Sequence, residues 1–141
     1  MLNNDLSQQI KRNFPYKPTE EQENAVKSFA EFLFSPSADS VFLMKGYAGT
    51  GKTTLTSALV RTLDSLQRKV ILLAPTGRAA KVFSGYAEHP AYTIHKKIYR
   101  QKVFSNETDN FVANQNLHRN TLFIVDEASM IANEDFRWPF W

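Results

Sequence analysis

Cysteine is absent from the 141-residue sequence, and this absence excludes disulfide bonds and thiolate metal sites. No apolar run approaches the roughly 20 residues that a membrane-spanning helix requires, so we expect no membrane partner. The amino-terminal residues 1–5 lack the basic-then-apolar pattern of a signal peptide. A reducing cytoplasm is therefore the expected location.

The composition is typical of one packed domain. Of the 141 residues, 43% are hydrophobic and 13% are aromatic, and a chain of this length buries roughly two thirds of its unfolded surface. No internal repeat or low-complexity tract interrupts it. The formal net charge of +3 is compatible with a polyanionic partner but does not require one.

The most informative stretch covers residues 46–54, which read G-Y-A-G-T-G-K-T-T and match the phosphate-loop pattern G-x-x-x-x-G-K-[ST]. Glycines permit positive φ angles that turn backbone N–H groups toward phosphate oxygens. Lys52 is expected to reach the β- and γ-phosphates of ATP, and the Thr53 hydroxyl to bind Mg²⁺. The predicted nucleotide-binding residues of this loop are Gly46, Tyr47, Ala48, Gly49, Thr50, Gly51, Lys52, Thr53 and Thr54.

The residues on either side favour the same interpretation. Val41–Met44 is a short apolar run that predicts a buried strand before the loop. Residues 52–66 place apolar side chains on one face of a helix. This helix should begin near Lys52, so that its positive end adds to the anion site.

The amino-terminal third is predicted to be helical. Residues 1–18 are polar and are interpreted as an arm or a short helix that leads into a domain over residues 19–141. A helix should begin after Pro18, where Thr19 and Gln22 form a capping-box pattern, and should end at residues 35–37. Its predicted apolar stripe consists of Ala25, Val26, Phe29, Ala30 and Leu33.

Two more buried strands are predicted at residues 69–74 and 121–125. Between them we expect a helix over residues 78–86, with Ala79, Val82, Phe83 and Tyr86 on one side, and a short helix over residues 93–100. The polar segment that follows could form a hairpin with its turn at residues 106–110. Apolar strands alternating with helices predict an α/β fold, a parallel sheet covered by helices on both faces. Ligands of such sheets bind at the carboxyl ends of the strands, where the loops should converge.

The third predicted strand ends in two acids. In a phosphate-loop enzyme, Asp126 would hold Mg²⁺ through its water shell, and Glu127 would orient or deprotonate the attacking water. A second acid at this place favours hydrolysis over transfer to a bound acceptor. Alone, the pattern is a weak signal, because it more often marks only a strand that enters a solvated turn. The catalytic candidates are Lys52, Asp126 and Glu127.

Four motifs together resemble superfamily 1 DNA helicases of the RecD-like type, which include the Dda and Pif-type motors. They are Gly46–Thr54, Ala74-Pro75-Thr76-Gly77-Arg78-Ala79-Ala80, Thr93-Ile94-His95, and Val125-Asp126-Glu127-Ala128-Ser129-Met130. The resemblance extends from about Thr19 to Ile131. It implies a RecA-like phosphate-loop ATPase, the first motor domain of a helicase that uses ATP and Mg²⁺ to move along single-stranded DNA, with 5′-to-3′ polarity.

The resemblance also implies roles for individual residues. The DNA-binding candidates are Pro75, Thr76, Gly77, Arg78, Thr93 and His95. Gln22 lies where the family has an adenine-reading glutamine, with Phe14 or Tyr16 as neighbours for the base, although it also completes the capping box. The mixed cations and aromatic rings of residues 92–102 suit either a groove for DNA or a solvated helix face.

Helicases of this type use two RecA-like domains, and only the first is recognisable here. We therefore expect a carboxyl-terminally incomplete motor domain that binds Mg-ATP or ADP weakly, hydrolyses ATP slowly and does not unwind DNA alone. The aromatic residues 135–141 match no family motif. The alternatives are a phosphate-loop nucleotide switch or kinase, or a binding module without a helicase role.

Overall fold

The computed structural model describes residues 2–34, 40–100, 112–113 and 120–131. The chain divides into two compact units, Met1–Gln67 and Arg68–Trp141. The limits expected from the sequence, an arm over residues 1–18 and one domain over residues 19–141, stay a prediction.

The first unit contains three helices, α1 (Leu2–Arg12), α2 (Glu20–Leu33) and α3 (Lys52–Ser65). Helix α1 packs against both α2 and α3, so the amino-terminal segment is a short helix rather than an extended arm. The Asn13 side chain fixes this packing by donating a hydrogen bond to the buried Thr62 hydroxyl at 2.8 Å. The buried apolar side chains of this unit are Leu6, Ile10, Phe14, Val26, Phe29, Ala30, Leu55, Ala58, Leu59, Val60 and Leu63.

Helix α2 begins as the sequence predicts. The Thr19 hydroxyl accepts the N–H of Gln22 at 3.2 Å, and the Gln22 side-chain oxygen accepts the N–H of Thr19 at 2.9 Å. This reciprocal pair satisfies two backbone donors that a helix start otherwise leaves unpaired. The predicted capping box is confirmed.

The strand predicted at Val41–Met44 is wrong. Residues 41–47 have no regular secondary structure, and Val41 and Leu43 are 75% and 66% exposed. The Phe42 ring instead packs on Phe29 of α2, with ring centroids 5.6 Å apart. A short apolar run becomes a strand only where a neighbouring strand pairs with its backbone groups, and none of the described strands pairs with residues 41–44.

The second unit contains, in chain order, β1 (Lys69–Ala74), α4 (Gly77–Ala87), β2 (Ala91–Thr93), α5 (Ile94–Ile98), β3 (Tyr99–Arg100), β4 (Val112–Ala113), β5 (Thr121–Val125) and a 3₁₀ turn (Ala128–Met130). Strands β2, β1 and β5 form a parallel sheet in that order. The strands predicted at residues 69–74 and 121–125 and the helix predicted at 78–86 are confirmed. The short helix predicted at residues 93–100 is confirmed with narrower limits. The short strand β2 was not predicted.

The parallel sheet with its helices confirms the α/β class. One cluster of its core consists of Ile71, Leu73 and Ile94, with Phe123, Val125 and Ile131 packed against them. Two expectations about burial need correction. Strand β5 is half-buried along its length because β1 is its only strand neighbour in the described sheet. Val82 is 60% exposed, since it lies off the face of α4 that buries Ala80, Phe83 and Ala87.

Strands β3 and β4 form a separate antiparallel pair, with Tyr99 opposite Ala113. Antiparallel pairing of these segments agrees with the hairpin expected in this region. The turn predicted at residues 106–110 lies outside the described residues, as do the helix end predicted at 35–37 and the aromatic residues 135–141.

Candidate functional site

The predicted phosphate loop is an exposed turn that leads directly into α3. Gly49 and Gly51 have φ angles of 80° and 83°, a conformation that favours glycine. The Thr50 backbone N–H and hydroxyl both donate to the Tyr47 carbonyl, at 3.3 and 2.6 Å, and close the turn. At Gly46, a side chain would bring a Cβ atom within 2.7 Å of the Thr50 hydroxyl. The backbone angles at Gly49 and Gly51 and the Thr50 hydroxyl beside Gly46 therefore favour glycine at these three positions.

Helix α3 begins at Lys52, as predicted, with Gly51 as its N-cap. The Lys52 ammonium folds back over the loop and donates a hydrogen bond to the Gly46 carbonyl. Thr53 lies exposed in the first turn of the helix. No side chain caps this end, so the helix dipole and the first N–H groups of α3 favour an anion here.

Gln22 connects α2 to this loop. In addition to its capping contacts, its side-chain nitrogen donates to the Gly51 carbonyl at 3.3 Å, and the residue is buried. Tyr16, whose hydroxyl lies near Gly51, is 51% exposed. Hydrogen bonds with the Thr54 and Gln22 side chains lower the pKa of Tyr16. The capping role of Gln22 is thus confirmed. Its adenine-reading role, with Phe14 or Tyr16 beside the base, stays a prediction.

The predicted acid pair follows β5 directly. The Asp126 backbone N–H donates to the Leu73 carbonyl of β1 at 3.0 Å, which continues the sheet pairing by one residue. One carboxylate oxygen of Asp126 accepts the Tyr86 hydroxyl at 2.6 Å, and the other accepts the Glu127 N–H at 2.9 Å. Glu127 is exposed and has a φ angle of 55°, which is uncommon for a residue with a Cβ atom. Such backbone conformations concentrate at functional sites.

Tyr86 also belongs to this site, although the sequence pattern predicts it only as part of the apolar side of α4. Burial, followed by the hydrogen bond to Asp126 and the charges of Asp126 and Glu127, raises the pKa of Tyr86 well above its ordinary value. The side chain therefore stays protonated and donates. The position of a tyrosine in an apolar helical stripe does not predict a hydrogen bond to Asp126. A half-buried phenol, however, ordinarily requires a hydrogen-bond partner.

The predicted DNA-binding turn lies between β1 and α4. Thr76 is the N-cap of α4, and its hydroxyl accepts the Ala79 N–H at 3.1 Å. Thr76, Gly77 and Arg78 are exposed and Pro75 is half-buried. An exposed cation beside a helix amino terminus can bind a phosphodiester group.

Thr93 and His95 lie where β2 passes into α5. The Thr93 hydroxyl accepts the Lys96 N–H at 3.1 Å, and the His95 side chain is exposed. In the neighbouring segment, the Lys97 ammonium lies 4.8 Å from the centroid of the Tyr92 ring. Residues 101–102 of the predicted cationic and aromatic segment lie outside the described residues.

The sheet register places three of these segments at one edge. Ala74 pairs with Thr93, and Leu73 pairs with Val125. Three segments therefore follow the carboxyl ends of neighbouring parallel strands: the turn after β1, the start of α5 and the acid pair. The predicted convergence of loops is confirmed for those after β1 and β5.

Within the described ranges, no three His, Asp or Glu side chains come together as a preformed metal site. Mg²⁺ differs from zinc in this respect, because it retains waters and is commonly held by one or two carboxylates and by the phosphates of its substrate. The exposed Thr53 hydroxyl and the carboxylate of Asp126 are oxygen donors of the kind that Mg²⁺ accepts. Among the described helices, none is long and apolar enough to cross a bilayer.

A glycine loop at the start of a helix, with a parallel sheet whose strand ends in Asp-Glu, defines the phosphate-loop class of α/β nucleotide-binding proteins. Residues 17–138 match the AAA domain family. The chain belongs to this family, and the match includes all the predicted site residues.

The relatives of the chain include a DNA helicase. The chain is 33% identical over 105 residues to the multifunctional conjugation protein TraI of Escherichia coli (strain K12), covering 70% of this chain and 6% of TraI. It is 35% identical over 97 residues to the ATP-dependent DNA helicase dda of Enterobacteria phage T4, covering 67% of this chain and 22% of that helicase. An uncharacterized protein of Methanocaldococcus jannaschii is 28% identical over 123 residues, 79% of this chain and 10% of that protein. These matches confirm the resemblance to superfamily 1 helicases, although the chain spans less than a quarter of each relative.

Proposed function

We propose that this chain is the ATP-binding first motor domain of a cytoplasmic, ATP-dependent DNA helicase, which couples ATP hydrolysis to movement on single-stranded DNA. The observation that carries the proposal is the shared sheet edge. There, the Asp-Glu pair and the exposed turn at Thr76–Arg78 follow two directly paired strands. On this proposal, the acid pair that serves nucleotide chemistry and the turn that binds DNA phosphates follow neighbouring strands of one sheet.

The nucleotide roles follow from the chemistry of each group. The backbone N–H groups of residues 46–51 hold phosphate oxygens, and Lys52 compensates the charge of the β- and γ-phosphates. Thr53 binds Mg²⁺, Asp126 holds it through its water shell, and Glu127 orients or deprotonates the attacking water. Gln22 adds recognition of the adenine.

The DNA roles belong to the turn after β1 and the start of α5. Arg78 supplies a cation, while the Gly77 N–H and the first turn of α4 supply donors to a phosphate group. Thr93 and His95 extend this contact along the strand. Such contacts bind the backbone without reading its sequence.

By the same resemblance, full motor activity depends on a second RecA-like domain. In related phosphate-loop enzymes, an arginine supplied to the transferring phosphate contributes about 10³ to 10⁵ in rate. The chain by itself therefore binds Mg-ATP or ADP weakly, hydrolyses ATP slowly and does not separate duplex DNA.

The nucleotide half of the proposal is tested by binding of a fluorescent ATP analogue to the wild-type chain and to Lys52→Ala. We expect Lys52→Ala to weaken binding by at least about tenfold, the size of one lost charge-assisted hydrogen bond. Lys45→Ala is the matched control, because Lys45 is an exposed lysine directly before the loop and carries the same charge. Equal affinity of the wild type and Lys52→Ala would contradict the proposed phosphate site.

A further inference from the structure

The Tyr86 hydroxyl donates to a carboxylate oxygen of Asp126 over 2.6 Å. This distance is in the range of charge-assisted O–H···O⁻ bonds, which are about twice as strong as neutral ones. Tyr86 lies in the last turn of α4, and Asp126 directly follows β5. The contact therefore connects a helix and a strand end that are 40 residues apart in the sequence.

The other hydrogen bonds of Asp126 also hold its carboxylate in this orientation. Its backbone is held by the Leu73 carbonyl, and its second carboxylate oxygen is held by the Glu127 N–H at 2.9 Å. Each carboxylate oxygen accepts up to two hydrogen bonds. Both oxygens thus retain an acceptor position for the water shell of a metal ion, while the plane of the group is fixed by two donors.

The Tyr86 ring is itself held in place. It packs against the ring of Phe83, one turn earlier on α4, with centroids 5.3 Å apart. Phe83 is fully buried. Because the ring is already packed, the hydroxyl loses little side-chain entropy when it donates to its acceptor. Supporting residues of this kind orient the ligands of metal sites and affect the metal affinity.

From this geometry we propose that Tyr86 is a positioning residue for Asp126. It fixes the carboxylate in the orientation that accepts the water shell of Mg²⁺, without touching nucleotide or metal. The inference rests on the proposed metal role of Asp126. A tyrosine that only stabilised the fold would alter stability but not the dependence of nucleotide binding on Mg²⁺.

The test compares the wild type with Tyr86→Phe, which removes the hydroxyl and keeps the ring. The affinity for fluorescent ADP is measured in EDTA and in saturating MgCl₂, and the ratio of the two dissociation constants is the Mg²⁺ advantage. We expect Tyr86→Phe to bind ADP in EDTA like the wild type and to lose about tenfold of the Mg²⁺ advantage, as supporting residues of metal sites do. Ser84→Ala is the matched control, since it removes a hydroxyl from the same helix.

Asp126→Asn separates the inference from the function on which it rests. If Asp126→Asn loses the Mg²⁺ advantage and Tyr86→Phe keeps it, the inference is overturned and the proposed function stands. If Asp126→Asn keeps the advantage, the proposed metal role is itself wrong. In the double variant, Tyr86→Phe should cause no further loss beyond Asp126→Asn, because the two act on one contact. Additive losses would instead indicate an independent structural effect and overturn the inference.

Discussion

At the residue scale, Asp126 is held through both its backbone and its side chain. Its backbone extends the sheet, and both oxygens of its carboxylate accept hydrogen bonds. Glu127 contributes one of these bonds from a left-handed backbone position, with its own side chain exposed. The two acids of one dipeptide therefore have different surroundings, which agrees with different proposed roles in catalysis.

The tyrosine at this site predicts a pH dependence of stability. Because the pKa of Tyr86 is raised in the folded chain above its ordinary value of 10.0, the folded state holds this proton at pH values where the unfolded state has lost it. The contribution of Tyr86 to the free energy of unfolding is then full below pH 10 and declines as the pH rises above 10 toward the folded pKa. We expect urea unfolding in metal-free buffer to show this decline in the wild type.

Tyr86→Phe isolates the effect. The lowered pKa of Tyr16 acts with the opposite sign, but it is common to both proteins and cancels in their difference. The difference in unfolding free energy between the wild type and Tyr86→Phe should shrink above pH 10. A difference that is constant across this range would show that the hydrogen bond does not depend on the protonated phenol.

At the scale of elements, the cap of α2 has a direct connection to the phosphate loop. Gln22 caps its own helix through its side-chain oxygen and holds the Gly51 carbonyl through its side-chain nitrogen. Gly51 in turn caps α3 with a φ angle of 83°, and a Cβ atom added there would crowd the Gln22 amide. One side chain therefore stabilises a helix start and supports the loop.

Two variants separate these functions of the cap. Thr19→Ala removes the cap alone and is expected to lower the free energy of unfolding by about 1 kcal/mol, with unchanged affinity for ADP. Gln22→Ala should destabilise the chain at least as much and should also weaken the preference for ATP over GTP. Urea unfolding followed by circular dichroism, together with competition binding, measures both effects. Unchanged nucleotide preference in Gln22→Ala would leave this residue with a structural role only.

The sequence predicted those elements whose signal is local. Each of these elements is determined by residues close together in the sequence. They are the capping box at Thr19, the apolar runs of β1 and β5, and the glycine that begins α3. The strand expected at Val41–Met44 failed because strand formation also needs a partner, which no local pattern specifies. Tyr86 was missed as a site residue for a related reason, since its partner lies 40 residues away.

At the scale of the whole molecule, the proposed nucleotide-binding and DNA-binding residues belong to one AAA domain. The net charge of +3 is small, so general attraction to a polyanion contributes little and specific contacts should dominate. Arg78 is the exposed cation of the proposed DNA-binding turn. Lys81, one turn further along α4, is also exposed and lies outside the proposed contact.

The most direct test of a DNA motor domain is titration of a fluorescent single-stranded oligonucleotide at several salt concentrations. We predict salt-dependent binding by the wild type. Arg78→Ala should weaken it and lower the slope of log affinity against log salt by about 0.7, the value for one phosphate contact on a single strand. Lys81→Ala should have a much smaller effect. Absence of binding by the wild type, or equal loss in Arg78→Ala and Lys81→Ala, would contradict a DNA-binding motor and favour a nucleotide switch without a helicase role.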